Sequence, residues 1–304
     1  MVKKLITRKK FITSAITGIA GISLINNSLK GESGKAPVLR SIGNTGLRVT
    51  PLCFGAPRTN EESLIKYAID KGINFIDTGR AYGNGNNESL VGRAVSGIRN
   101  NLIIQSKIRL EMNELPSKGK GKKGADEIRN ALSSKLEASL KAINSDYFDI
   151  MLYHDALDEN LLFHPETIRF FSDMKKNGTI RATGFSTHND YMNLPARNNL
   201  EKIYDVIMVP FNHKGSFIHS VSGRYSEWNQ EKLIGILEEA YNNGIGVIAM
   251  KTCSGGKYSP SPETGESYRE AVKWVLQKKY ISSAAIAMAS FEQVDEHITL
   301  LNEI

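Results

Sequence analysis

Eight times after residue 49, a short apolar segment is followed by a segment whose apolar residues recur at helical spacing. The predicted strands are 50–55, 74–78, 101–107, 146–154, 180–186, 204–212, 246–252 and 283–288. The predicted helices are 60–71, 88–98, 126–143, 164–177, 189–201, 227–243, 267–279 and 290–303. Strands that are apolar throughout need helices over their outer face. The pattern therefore predicts an α/β fold, a closed (β/α)8 TIM barrel in which all strands are parallel.

The rival fold for such alternation is an open, doubly wound sheet. That fold typically carries a Gly-x-Gly-x-x-Gly turn after an early strand, which binds the phosphates of a dinucleotide. Residues 83–87 read Gly-Asn-Gly-Asn-Asn and lack the third glycine. The sequence therefore favours the barrel. Residues 38–49, with Gly-Asn-Thr-Gly at their centre, predict a β-hairpin before its first strand.

The first 35 residues have the layout of an export signal rather than of a folded element. Residues 1–10 are basic, residues 11–25 are apolar or small, and a polar stretch follows. Fifteen such residues are too few to span a bilayer stably. The segment from Thr7 to Ile12 resembles a twin-arginine motif in which Lys9 replaces the second arginine. We expect a signal-like segment over 1–35, a barrel over 36–304 and Tat-like export to the periplasm. The alternative is a cytoplasmic protein with an uncleaved tail.

Charge and cysteine usage exclude several classes of function. The chain has a formal net charge of +7, of which residues 1–35 contribute +6. A second basic cluster lies in the predicted loop 111–124 and comprises Lys118, Lys120, Lys122 and Lys123. Apart from residues 1–35 and these four lysines, the chain is slightly acidic, which argues against nucleic-acid binding. Two cysteines make no disulfide framework, and the six histidines show no metal-ligand spacing, so we predict no metal site.

Four polar residues lie at or just after three successive predicted strand ends, where barrel enzymes place their catalytic groups. They are Asp77, Tyr82, Lys107 and His154. Reduction of a carbonyl leaves an alkoxide that must be protonated, and a tyrosine hydroxyl is a reluctant acid at neutral pH. A neighbouring ammonium lowers the pKa of such a hydroxyl, a carboxylate offsets the buried ammonium, and a histidine donates to the carbonyl oxygen. Each residue alone has an ordinary structural explanation, but the four together favour this chemistry.

From about residue 38 onward the chain resembles the aldo-keto reductase family, in particular a bacterial branch. The motifs are Gly43-Asn44-Thr45-Gly46, Phe75-Ile76-Asp77-Thr78 with Tyr82-Gly83, Ser106-Lys107, Tyr153-His154 and Gly184-Phe185-Ser186. The resemblance implies a catalytic tetrad of Asp77, Tyr82, Lys107 and His154. It also implies a nicotinamide cofactor across the barrel mouth, with NADP(H) favoured over NAD(H).

The resemblance also implies the residues that hold this cofactor. They are Gly55, Ala56, Ser186, Met208, Ser254, Gly255, Ser290, Gln293 and Glu296. A glycine after Ser254 lets backbone N–H groups approach a pyrophosphate, and Ser290 is a candidate N-cap at a helix end that attracts anions. The chain departs from the family pattern at three positions: Thr187 stands where an asparagine is common, Met208 where a glutamine is common, and Met250 where a tyrosine is common. Residues 285–302 hold no arginine or lysine to grip a 2′-phosphate.

The sequence thus predicts an NAD(P)-dependent oxidoreductase that reduces an aldehyde or ketone, or oxidises the alcohol, with Tyr82 as proton donor. The alternative is a nicotinamide-binding sensor or accessory subunit with little turnover, which the two methionines favour. A barrel hydrolase would need paired carboxylates or a metal at the strand ends. The partner is a small carbonyl or alcohol substrate, with no stable membrane span. The identity of the substrate, the direction of reaction and the oligomeric state stay open.

Overall fold

The computed structural model describes residues 38–111, 114, 121–219, 222–254, 267–301 and 303. The signal-like segment 1–35, Gly255 and the side chains of the basic cluster 118–123 lie outside the described residues.

Eight parallel strands close into a barrel. They are β3 (Leu52–Gly55), β4 (Phe75–Asp77), β5 (Ile103–Ile108), β6 (Phe148–Tyr153), β7 (Ile180–Ser186), β8 (Val206–Pro210), β11 (Gly246–Met250) and β12 (Ser283–Ala287). Each pairs with the next in chain order, and β12 returns to β3. Two hairpins stand outside the barrel: β1 (Arg40–Ser41) with β2 (Arg48–Val49), and β9 (Ser216–Ile218) with β10 (Tyr225–Glu227). The predicted (β/α)8 fold and its N-terminal hairpin are confirmed.

Helices cover the outside of the barrel. They are α1 (Glu62–Asp70), α2 (Asn86–Ala94), α3 (Gly121–Ile143), α4 (Glu159–Leu162), α5 (Pro165–Lys176), α6 (Asn193–Glu201), α7 (Gln230–Asn242), α8 (Tyr268–Leu276) and α9 (Phe291–Leu301). Among the described residues, none of these helices is long and apolar enough to cross a membrane.

The barrel has two hydrophobic cores, as strands covered on both faces require. The outer core packs the helices against the strands. The inner core fills the barrel and joins strand residues such as Cys53 and Phe75 to Ile42, Leu47 and Val49 of the first hairpin. This hairpin therefore closes the end of the barrel at which the strands begin. The opposite end, where the strands finish, is left for a site.

Several element boundaries differ from the sequence prediction, three of them in the segments that follow β5, β7 and β8. Helix α3 begins at Gly121 rather than 126, so the predicted loop 111–124 is shorter. Between the strand predicted to end at residue 212 and the helix predicted to begin at 227, the chain forms hairpin β9–β10, and α7 begins after it, at Gln230. Helix α6 begins at Asn193 rather than 189, because Thr187 Oγ1 accepts hydrogen bonds from the backbone N–H groups of Asn189 and Asp190, at 3.2 and 3.1 Å. Such a side-chain turn competes with helix formation.

Candidate active site

The ends of β4, β5 and β6 bring the four predicted catalytic residues together. Asp77 is the last residue of β4, and Lys107 lies one residue before the end of β5. His154 follows β6, and its backbone N–H donates to Ile108 O at 2.8 Å. Tyr82 begins a short 3₁₀ turn after β4. Parallel strands that end at one rim are what place residues so distant in sequence side by side.

A tight turn presents Tyr82 to this rim. The backbone N–H of Arg80 donates to Lys107 O at 3.0 Å, which ties the segment after β4 to β5. Three successive residues, 83 to 85, then have positive φ angles, a conformation that glycine and asparagine tolerate best. At Gly85 a Cβ atom would lie 1.3 Å from Arg80 Nη2. The Gly-Asn-Gly sequence therefore builds the turn and seats Arg80; it is no dinucleotide-binding loop.

Lys107 and Asp77 form a buried ion pair. Lys107 is 1% exposed and Asp77 is 3% exposed. The ammonium donates to Asp77 Oδ1 and, at 2.8 Å, to the Thr78 carbonyl. Burial alone would lower the pKa of Lys107, but the negative charge of Asp77 and the Tyr82 hydroxyl outweigh it and raise that pKa. Lys107 is therefore a fixed positive charge at neutral pH.

Gln105 also belongs to this pair, and the sequence did not single it out. It lies two residues before Lys107 on β5, so both side chains point to the same face of the strand. Its Nε2 donates to Asp77 Oδ1 at 2.6 Å and lies 3.5 Å from the sulfur of Met208. Among the described residues, Oε1 of Gln105 is buried without a hydrogen-bond partner. Its position two residues before Lys107 was the one available signal.

Tyr82 lies close to both Lys107 and His154. The Lys107 ammonium is 4.9 Å from the centroid of the Tyr82 ring, and the His154 ring packs edge-on at 5.5 Å. Burial raises the pKa of Tyr82, and the nearby charge of Lys107 opposes this without cancelling it. The Lys107 ammonium thus acts in the expected direction, but loss of water around the hydroxyl outweighs it, so the net effect is a raised pKa. The hydroxyl is protonated at neutral pH.

His154 is a neutral imidazole. Burial lowers its pKa to about 3, and the positive charges of Lys107 and Arg109 act in the same direction. Within the described residues, its Nδ1 is buried without a hydrogen-bond partner. A neutral imidazole has one N–H to donate and one nitrogen to accept.

The pKa of His154 predicts how stability depends on pH. Because the pKa in the folded state lies below the ordinary value of 6.5, the unfolded chain binds more protons between about pH 3 and 6.5. His154 therefore lowers the free energy of unfolding as the pH falls through this window, by on the order of a few kcal/mol. His154→Gln is expected to lose less stability between pH 7 and pH 4.5 than the wild type. Urea unfolding of both proteins at both pH values measures this, and equal losses would contradict it.

Three residues predicted to hold the cofactor lie on barrel strands that reach this rim: Ser186, Met208 and Gly55. Ser186 ends β7, is 1% exposed, and accepts a hydrogen bond from the backbone N–H of Asp155 at 3.0 Å. Its own hydroxyl proton is left to donate. Met208 lies on β8 and is 3% exposed. At Gly55 an added Cβ would lie 3.0 Å from the backbone of Ile286, so β3 ends in close contact with β12.

The remaining predicted cofactor residues lie further around the rim. Ala56, which follows β3, is buried, and its carbonyl accepts from Asn87 Nδ2 at 2.9 Å. The carbonyl of Ser254, which follows β11, accepts from Ile218 N at 3.1 Å. Gly255 cannot be placed, since it is outside the described residues.

The start of α9 is a capped helix end. Ser290 Oγ accepts from Gln293 N at 3.3 Å, and Gln293 Oε1 accepts from Ala289 N at 2.8 Å. Ser290 thus satisfies an N–H group of the first turn, and Gln293 reaches back to the N–H group of the residue before the cap. Glu296, one turn later, is exposed, and its carbonyl accepts from Arg269 Nη1 at 3.4 Å. Arg269 belongs to α8, so the sequence of α9 alone does not reveal that a cation lies beside it.

A pocket of about 300 Å³ opens beside Lys107 and His154. It is lined by Arg80, Ala81, Asn84, Lys107, Ile108, Arg109, Glu111, Lys135 and His154. In the described part of the chain, no group of three or more His, Cys, Asp or Glu residues is placed to hold a metal ion. The arrangement offers a fixed ammonium and a neutral imidazole on the wall of a polar pocket, and the proton donor Tyr82 contacts both although it does not itself line the pocket. That set can protonate and polarise a carbonyl oxygen.

Comparison with known protein families gives one match over most of the chain. The model of the Aldo/keto reductase family matches residues 54–303. Among curated proteins, L-galactose dehydrogenase of Arabidopsis thaliana is 26% identical over 309 residues, covering 88% of this chain and 88% of that protein.

Solved structures give the same picture of the fold. An aldo-keto reductase from Bacillus halodurans, in its holo form, superposes with a TM-score of 0.67 at 20% identity and covers 87% of this chain and 91% of its own. An aldo/keto reductase from Klebsiella pneumoniae in complex with NADP and acetate has a TM-score of 0.63 at 19% identity, covering 86% and 90%.

Proposed function

Because the chain belongs to the aldo/keto reductase family, and so is an oxidoreductase of a family that generally reduces carbonyls with NAD(P)H, we propose that Tyr82 protonates the carbonyl oxygen of an aldehyde or ketone during reduction. One observation carries this proposal. The buried ammonium of Lys107 lies 4.9 Å from the Tyr82 ring, in a site where a carboxylate fixes its charge.

Each of the four residues has a separate task. Tyr82 is protonated at neutral pH and donates its proton as negative charge develops on the carbonyl oxygen. Lys107 stabilises the phenolate that remains, and Asp77 holds the ammonium in place. His154, uncharged, donates its N–H to the same oxygen and so orients the carbonyl without placing a second cation in the site.

The rim suits a nicotinamide cofactor, which supplies the hydride when bound. The Ser186 hydroxyl accepts from Asp155 N but keeps its own proton to donate, and the buried amide oxygen of Gln105 has no partner among the described residues; both are groups that a carboxamide can bind. Met208 offers a soft, apolar contact to the ring. The start of α9 carries the positive end of a helix dipole, which favours an anion nearby.

The most direct test is turnover. Purified protein should oxidise NADPH in the presence of a panel of aldehydes, ketones and oxidised sugars. Tight NADPH binding with no turnover on any of them would instead favour a nicotinamide-binding sensor.

Preference for NADP(H) rests on Arg269. Its guanidinium lies beside α9, where its Nη2 pairs with Glu303 and its Nη1 contacts the Glu296 carbonyl, so it is a candidate partner for a 2′-phosphate. We expect a higher kcat/KM with NADPH than with NADH. In Arg269→Gln, the ratio of the NADPH value to the NADH value should fall by about tenfold or more. Steady-state kinetics with both cofactors measure this. An unchanged ratio in the variant would remove Arg269 from the cofactor site.

We also propose Tat-like export of the folded protein to the periplasm, on the layout of residues 1–35. The cofactor residues come from several strand ends, so the site exists only in the closed barrel, and export after folding would let the cofactor bind in the cytoplasm. Changing Arg8 and Lys9 together to Gln should retain the protein in the cytoplasm. Fractionation of cells expressing either chain tests this. A wild-type chain confined to the cytoplasm with Met1 intact would overturn it.

A further inference from the structure

The pocket beside His154 has an unusual lining for a small-molecule site. Such sites are mostly lined by apolar and aromatic side chains, with few polar groups. Here four of the nine lining residues are cations, one is a carboxylate, and only Ala81 and Ile108 are apolar. Lys107 is committed to Asp77, which leaves Arg80, Arg109 and Lys135 as the cations that face the pocket outside the tetrad.

Arg80 is held in place by its own contacts. Its Nη1 lies 2.8 Å from Oε2 of the buried Glu88 and donates to the Ala138 carbonyl at 3.0 Å. Its Nη2 occupies the space that a side chain at Gly85 would fill. A guanidinium fixed in this way loses little freedom when it binds a further partner, since its position is already set.

Arg109 is less completely paired. It follows β5, and its carboxylate contacts are long: Nε lies 3.3 Å from Glu111 Oε1, and Nη1 lies 3.6 Å from Asp155 Oδ2. A guanidinium carries five N–H donors in a planar fork that matches carboxylate and phosphate oxygens. Lys135 of α3 stands at the same pocket, with its ammonium 3.0 Å from Glu114.

We propose that this pocket selects substrates in which the carbonyl compound carries an anionic group, a carboxylate or a phosphate, bound by Arg109 with Arg80 and Lys135. The carbonyl then lies at the His154 end of the pocket, and the oxyanion lies towards the arginines. This inference rests on the proposed reductase activity and names the substrate class of the same site.

Matched substrate pairs test it. We expect kcat/KM to be at least about tenfold higher for succinic semialdehyde than for its methyl ester, or for glyceraldehyde 3-phosphate than for glyceraldehyde. The first pair reports on a carboxylate and the second on a phosphate. A preference for the neutral member of both pairs would overturn the proposal and leave the reductase activity standing.

Arg109→Gln separates substrate contact from a general effect on the site. It should lower kcat/KM for the preferred anionic substrate by about ten- to a hundredfold, mainly through KM, and change the neutral member about twofold or less. Loss of the Arg109 charge also shifts the pKa of His154, but that affects both members alike. Arg109→Lys should retain part of the preference, and Arg93→Gln, on the exposed face of α2, should match the wild type. Equal losses on both members would contradict the assignment.

Calorimetric titration with succinate and with inorganic phosphate needs no turnover. Binding that weakens at least about tenfold in Arg109→Gln, but not in Arg93→Gln, supports the anion site even if no aldehyde of the panel is reduced. In that case the proposed reductase function fails separately. Absence of binding by both anions, together with no preference in either substrate pair, would overturn the inference.

Discussion

Tyr82→Phe is expected to lower the rate of carbonyl reduction by about a hundred- to ten-thousandfold while cofactor affinity stays nearly unchanged. The phenyl ring can keep the edge-on contact with His154 at 5.5 Å and the position over the Lys107 ammonium, so only the hydroxyl is lost. Burial raises the pKa of Tyr82, which keeps that hydroxyl in the protonated form that a proton donor needs. Single-turnover reduction and NADPH fluorescence titration measure the two quantities.

The control for Tyr82→Phe is to establish whether the chemical step limits the wild-type rate. A hydride isotope effect on the wild-type rate shows whether chemistry is slow enough for the substitution to be seen. If it is, a variant that keeps more than about half of the wild-type rate would show that another group protonates the oxygen.

The barrel was predictable because its signal is long and repeated. Eight apolar strands with eight amphipathic helices leave few other arrangements, and the strand ends then fix which residues meet. Asp77, Lys107 and His154 could be placed together from sequence for that reason. Hairpin β9–β10 could not, since strands of three residues, Ser216–Ile218 and Tyr225–Glu227, carry too little alternation to distinguish them from a loop.

Contacts between distant elements were also beyond the sequence. Gln105 donates to Asp77 and Arg269 contacts the carbonyl of Glu296, but each pair lies on different elements and no local motif joins them. The net direction of the Tyr82 pKa was beyond the sequence for a related reason. A neighbouring lysine can be read from the strand pattern, whereas the extent to which water is excluded from the hydroxyl depends on the assembled rim.

The second large effect is expected from Lys107→Met, which should abolish reduction and also destabilise the fold. The ammonium donates to Asp77 and to the Thr78 carbonyl, and the pair is almost fully buried. Removing one partner leaves a buried carboxylate that still accepts from Gln105 but has lost its counter-charge, at a cost of about 3–5 kcal/mol in the free energy of unfolding. Activity must therefore be compared at equal folded fraction.

A double variant separates the two effects of Lys107→Met. Asp77→Asn in the same chain removes the uncompensated charge while its amide oxygen can still accept from Gln105, so most of the lost stability should return. Activity should not return, because no ammonium remains beside Tyr82 to stabilise the phenolate. Urea unfolding and the pH profile of turnover, measured on both variants, decide the matter. If Lys107→Met kept the wild-type pH profile and rate, the lysine would hold the strand ends together without acting on Tyr82.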